Sequence, residues 1–240
     1  MKERIVFLII FMFVLTACDT QVTSTPESTV PPPAALEPSS TPDPLIFRDD
    51  FEGSIDTAWQ WIRENTKEWS LTNHPGWLEI QAGSGHVSES ETENLLIRQI
   101  PEGNFELETK LMFEPVTNYQ FAGLLIYESE ADFIQFGHAY CVNDPKCVGD
   151  GLYLDNTVGG VFVIGDNYST PAPDTKTLYL RLRREGNIFT SFFSEDGNEW
   201  QMLGAHTNNM DPLYVGLVAG QSIYSYQPAQ FDYFIINALP

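Results

Sequence analysis

The side chains best suited to chemistry in this chain are carboxylates and aromatic rings. Glu106 and Glu108 stand two apart in Phe105-Glu-Leu-Glu-Thr-Lys-Leu-Met-Phe113. On a strand they share a face, the placement of a nucleophile and an acid that must sit about 5 Å apart to cleave a glycosidic bond. Lys110 follows at the same spacing, so the run reads instead as a solvated strand edge or outer face. His74, His86, His138 and His206 fall in no triad or metal spacing, and no Gly-x-Ser-x-Gly elbow occurs. Catalysis is unsupported by any motif. The aromatic stock is the stronger signal, at 13% of residues with five tryptophans and ten tyrosines. Sugars offer flat apolar C–H faces and a polar rim, which an exposed ring with nearby hydrogen-bonding groups can match. Trp61, beside Arg63-Glu64, is one candidate platform. His138 and Tyr140 share a strand face, Arg181 is placed near them on a polar outer face, and Tyr224 and Tyr226 lie in the polar loop 221–227. Trp69, Trp77 and Trp200 are assigned to packing.

Strands must position these groups. Phe105–Phe113 alternates apolar and polar side chains with period two, and Leu178-Tyr-Leu-Arg-Leu-Arg183 sets three leucines opposite Tyr179, Arg181 and Arg183. Further apolar runs lie at 121–127, 133–140, 160–164, 188–193, 214–219 and 231–236, separated by turn signals such as Glu185-Gly186-Asn187 and Asp196-Gly197. No stretch beyond the N-terminal apolar run keeps a helical period over three turns. The fold class is all-β, a sandwich or barrel. Cys141 and Cys147 flank the turn-rich Val-Asn-Asp-Pro-Lys and predict a local disulfide in an oxidising setting, rather than two free thiols or a zinc site.

Several pieces in order resemble a known family. Phe47-Arg-Asp-Asp-Phe-Glu-Gly53 is followed by Trp59, Trp61 and Trp69, then by Leu95-Leu-Ile-Arg98 and Phe105–Lys110. Ala122–Tyr127 leads into Asp132–Gly137, Leu180–Gly186 into Ser194–Trp200, and the chain closes on Phe231-Asp-Tyr-Phe234. Together they resemble the concanavalin A-like jelly roll, two antiparallel sheets, that forms the C-terminal module of family forty-three β-xylosidases. The resemblance covers most of residues 45–240. It implies that hydrolysis belongs to a separate propeller domain, for which this chain has no room. The Glu-x-Asp-x-x-Glu strand of laminarinase-type jelly rolls is missing. The resemblance also implies a structural calcium where first and last strands meet, with Asp50, Glu52 and Asp232 as the carboxylates. The 141–147 insertion and the 222–227 loop depart from the pattern and leave an inherited ligand site open.

The N-terminus concerns location. Lys2 and Arg4 precede an apolar run from Ile5 to Leu15, too short to span a bilayer, and Leu15-Thr16-Ala17-Cys18 resembles the lipobox of bacterial lipoprotein signals. Residues 1–17 are then a signal peptide and Cys18 a lipidated anchor. Residues 18–44 follow as a Pro/Ser/Thr-rich linker without aromatic residues, and 45–240 as the sandwich. The protein is expected to be extracytoplasmic, held to a membrane through its lipid alone. A formal net charge of −21 argues against nucleic acid as a partner. The expected function is non-catalytic binding of a polysaccharide or oligosaccharide. A surface-protein partner and a glycoside hydrolase with an unrecognised site are the alternatives.

Overall fold

The computed structural model describes residues 44–143, 145–162, 167–221 and 226–240. Two antiparallel sheets face each other, with strands numbered in chain order. Sheet 1 runs β14 (Gln201–Thr207), β13 (Ile188–Ser194), β12 (Thr177–Glu185), β6 (Phe105–Met112), β16 (Pro228–Ala238), β4 (Leu78–Gln81) and β3 (Trp69–Ser70), and β1 (Leu45–Asp49) also pairs with β16. Sheet 2 runs β10 (Val161–Phe162), β9 (Gly149–Val158), β8 (Asp132–Cys141), β7 (Phe121–Ser129), β15 (Tyr214–Gly220), β5 (Leu95–Gln99) and β2 (Gln60–Ile62), with β11 (Tyr168–Pro171) also on β9. The family-type sandwich expected from the sequence is therefore present. Of the anticipated run at 160–164, the described part holds β10 at Val161–Phe162, and residues 163–166 lie outside the described residues.

Alternation decides which side chains enter the core. Leu178, Leu180 and Leu182 of β12 and Leu107 and Leu111 of β6 point inward, where they meet Leu124, Ile126, Ile134, Phe136, Leu152 and Leu154 of sheet 2. The opposite parity of β6 and β12 faces outward. There Arg183 Nη2 lies 2.7 Å from Glu106, Arg181 Nε lies 2.7 Å from Glu108, and Tyr233 donates to Glu108 at 2.6 Å. Of the predicted strand edge or outer face, these residues form the outer face, an ion ladder on central strands with Glu106 only 6% exposed. Each carboxylate is held by a guanidinium, an arrangement that fixes geometry and leaves neither free as an acid or nucleophile.

Sheet 2 differs from sheet 1 in being buried on both faces, which is why β7 and β8 read as continuous apolar runs rather than alternating ones. A second apolar cluster lies on its outer face, where Leu95, Ile97, Leu125 and Val218 pack beneath Val87. Val87 belongs to the segment 82–94, which carries a single 3-10 turn at Val87–Glu89. That segment covers half of the face. The uncovered half is where the cavity forms.

Candidate functional site

The cavity is built from the odd-numbered residues of three neighbouring strands. Antiparallel register sets Asp155 of β9 opposite Gln135 of β8, Tyr153 opposite Gly137, and Gly137 opposite Gly123 of β7. Gly137 leaves the floor low, and the ring of Phe121 lies over it, its Cζ 2.8 Å from where a Cβ would stand. The cavity measures about 520 Å³, the size of a small-molecule or oligosaccharide subsite. One wall is the covering segment, with His86, Glu89 and Glu91; the facing wall is the Cys141–Cys147 loop; Asn167 and Tyr168 close a third side. Tyr119 and Tyr168 are 41% and 40% exposed there, open to contact from solvent.

Two polar groups of the lining, Gln221 and Asp155, are joined through the buried amide of Gln135. Gln221, at the end of β15 with φ 65°, donates through Nε2 to Gln135 Oε1 at 2.9 Å, and Gln135 Nε2 donates to Asp155 Oδ2 at 3.1 Å. Burial pushes the Asp155 carboxyl up to about 6, against the opposing pull of the Gln135 amide. Tyr153 is raised by burial too, and its hydroxyl accepts from Val148 N and donates to the Gly149 carbonyl, which ties the disulfide loop to β9. Burial lowers His86, whose Nδ1 contacts Ser88 Oγ at 2.9 Å.

The expected disulfide between Cys141 and Cys147 is formed and lines the cavity. It closes a short loop, so reducing it, or replacing both cysteines with serine, is expected to cost about 2 kcal/mol by loop entropy. Thermal unfolding with and without reductant measures this.

Of the aromatic set read from the sequence, Tyr140 lines this cavity. The others do not join it. His138 follows the inward parity of Ile134 and Phe136, so it is 4% exposed, edge-on to Phe113 at 6.0 Å, with Nε2 2.5 Å from Asp150. Burial lowers its pKa, with Asp150 acting in the other direction. Arg181 lies on the outer face of sheet 1, stacked 3.7 Å over Trp200, because its parity opposes Leu180 and Leu182. The predicted grouping of His138, Tyr140 and Arg181 is therefore corrected: they belong to two sheets. Trp61 is half-buried against the core and stacks on Trp69 at 5.0 Å. Tyr226 is 53% exposed and covers Gly83, outside the cavity lining. Tyr224 and Cys18 lie outside the described residues.

The calcium expectation also meets a different arrangement. Asp50 is paired with Arg48 by hydrogen bonds of 2.8 and 3.0 Å, Asp232 with Lys110 at 2.8 Å, and Glu52 is exposed. Asp49 is wholly engaged in structure, accepting from Phe51 N, Asp56 N and Trp59 Nε1. Among the described residues no group of three or more His, Cys, Asp or Glu is placed to hold a metal ion. These carboxylates do not fit a shared calcium.

Sequence reasoning missed Asp155, Gln135, Gln221, Phe121 and Tyr153. The signal was there for two of them: Leu152-Tyr-Leu-Asp-Asn-Thr157 alternates, placing Tyr153 and Asp155 opposite two core leucines.

Relatives match the fold. A xylan 1,3-β-xylosidase from Vibrio sp. is 26% identical over 208 residues, covering 78% of this chain and 37% of the relative. The GH43 BlXynB protein of Bacillus licheniformis superposes with a TM-score of 0.71 at 20% identity, over 80% of this chain and 39% of that one. Xylan β-1,4-xylosidase from Bacillus halodurans C-125 gives 0.66 at 23%, over 79% and 38%. The chain therefore spans about two fifths of the length of these proteins. With residues 48–237 matching the model of the β-xylosidase C-terminal concanavalin A-like domain, GH43_C2, the chain belongs to that family.

Proposed function

We propose that this chain is a non-catalytic carbohydrate-recognition module that binds a saccharide in the cavity of sheet 2. One observation carries the reading: an apolar, aromatic-lined cavity whose lining includes the Gln221 amide and the Asp155 carboxyl, joined through the buried Gln135 amide. Rings take the C–H faces of a sugar and the amides take its hydroxyls. The relatives' names, which are those of xylan-cleaving enzymes, favour a plant or microbial polysaccharide. A binding rather than a cleaving role is supported by the carboxylates. Glycoside cleavage uses two facing acids, whereas Asp155 accepts from the Gln135 amide, Glu89 and Glu91 belong to the covering segment, and Glu106 and Glu108 are pinned by arginines on the other sheet. We place the module at a cell surface, tethered by lipidated Cys18.

The test is retention on immobilised plant and microbial polysaccharides. Selective retention on one polymer class supports the reading, and Tyr119→Ala is expected to weaken it about tenfold by removing an exposed ring worth roughly 1.4 kcal/mol. Because Tyr119 is exposed, its thermal midpoint should stay within a degree or two of the native value. Retention on no polymer would overturn the reading and favour a protein partner.

A further inference from the structure

Buried carboxylates elsewhere in this protein are met by several donors or by a cation. Asp49 accepts three N–H groups at 2.8–3.0 Å. Glu79 accepts from Asn73 and Gln230 at 2.8 Å and from Gln81 at 3.1 Å. Glu106 lies 2.7 Å from Arg183 and 3.4 Å from Arg181. Asp155 is the exception. It is 8% exposed, accepts one neutral amide at 3.1 Å on Oδ2, and has no Lys, Arg or His within ion-pair reach among the described residues. It lines the cavity. A carboxylate removed from water needs donors or a counter-charge, and here the cavity is the one place left to supply them.

Resting on the saccharide reading above, we propose that the ligand carries a free ammonium group, an unacetylated amino sugar, and that the ammonium docks on Asp155 Oδ1. An ammonium brings three N–H donors and a unit positive charge, which a hydroxyl does not. The surroundings suit it. Phe121, Tyr119 and Tyr168 present aromatic surface that attracts cations. Glu89 and Glu91 on the rim add negative charge. Lys146 also lines the cavity, its backbone carbonyl accepting from Ser169 Oγ at 2.8 Å, and it forms no ion pair with Asp155. The same charge distribution disfavours a uronic acid, which would set a carboxylate against Asp155.

The test is calorimetric titration of residues 44–240, a sandwich with its own core, at neutral pH and physiological salt to screen the net charge. The probes are β-1,4-linked tetramers of glucosamine, N-acetylglucosamine, glucose and galacturonic acid (the last α-linked). The glucosamine tetramer is expected to bind at least tenfold more tightly than the glucose or acetylated tetramers, with the uronate weakest. Asp155→Asn should reduce that preference to threefold or less while the variant remains folded by thermal melting. A neutral tetramer binding as tightly as the amine, or an amine preference that survives Asp155→Asn, overturns the inference and leaves the saccharide site standing. Binding of none of the four overturns the inference, while retention on the polysaccharide panel decides the saccharide reading separately.

Discussion

Gly137→Val is expected to be among the most damaging single changes in the molecule, removing about 4 kcal/mol of stability or preventing folding. A Cβ at Gly137 would lie 2.1 Å from the Ala122 carbonyl oxygen, and one at Gly123 would lie 2.2 Å from the Phe136 carbonyl oxygen. The obstacle at each site is the backbone of the neighbouring strand, which cannot rotate out of the way as a side chain could. Relief would require β7 and β8 to separate, and they are central in sheet 2 and packed on both faces. Gly103→Ala provides the contrast. A Cβ at Gly103 meets nothing within 4 Å, so only its φ of 77° opposes the substitution, at a cost of about 1 kcal/mol. Urea melts of the two variants make the comparison. A Gly137→Val protein within about 1 kcal/mol of native would contradict the packing described for these strands.

The second large effect concerns Asp155 and runs in the opposite direction. Its carboxyl titrates near 6 in the folded protein, against an ordinary 3.8. A raised folded value means that the folded state holds the proton more tightly than the unfolded chain. The protonated form's contribution is therefore fully present below about pH 4 and is lost as pH rises through about 6. Above that, the folded protein carries a desolvated charge that costs roughly 3 kcal/mol. Asp155→Asn keeps the shape and removes the charge, so it should raise stability at pH 8 by up to that amount and have little effect at pH 4. Denaturant midpoints of both proteins across that range measure it, with native stability expected to fall relative to the variant as pH rises. An equal difference at both ends would contradict the burial of the Asp155 charge.

The two faces of the sandwich were unequally legible in the sequence. Sheet 1 could be read because its strands alternate, core leucines against outward arginines and glutamates, so β6 and β12 were found nearly to the residue with the right face inward. The cavity sits on sheet 2, where both faces are apolar and parity carries no mark of inside or outside. His138 was grouped with Tyr140 and Arg181 on a polar outer face, while its parity follows Ile134 and Phe136 into the core. Gln135 and Asp155 come together only through the register of β8 on β9, and Gln221 reaches them from the end of β15, 86 positions along the chain from Gln135. No local spacing encodes such a meeting. Trp77 and Trp200, assigned to packing, are half-buried on the outer face of sheet 1 beneath Lys110 and Arg181, which cover ring faces that a sugar would otherwise use. The carboxylates expected to share a calcium are placed otherwise for a related reason. Asp50 and Asp232 were placed by strand order alone, and their neighbours Arg48 and Lys110 took them as ion-pair partners.

Saccharide occupancy of the outer face of sheet 2 can be mapped residue by residue. Amide and methyl chemical-shift mapping of the isotope-labelled sandwich, titrated with the oligosaccharide of whichever polymer class retains it, tests this most directly. The predicted result is a contiguous set of shifts on Phe121, Gln135, Ala139, Tyr153, Asp155 and Gln221, with the Glu106–Arg181 ladder unmoved. Shifts confined to Arg181, Trp200 and their neighbours on sheet 1 would place the binding face on the wrong sheet and contradict it.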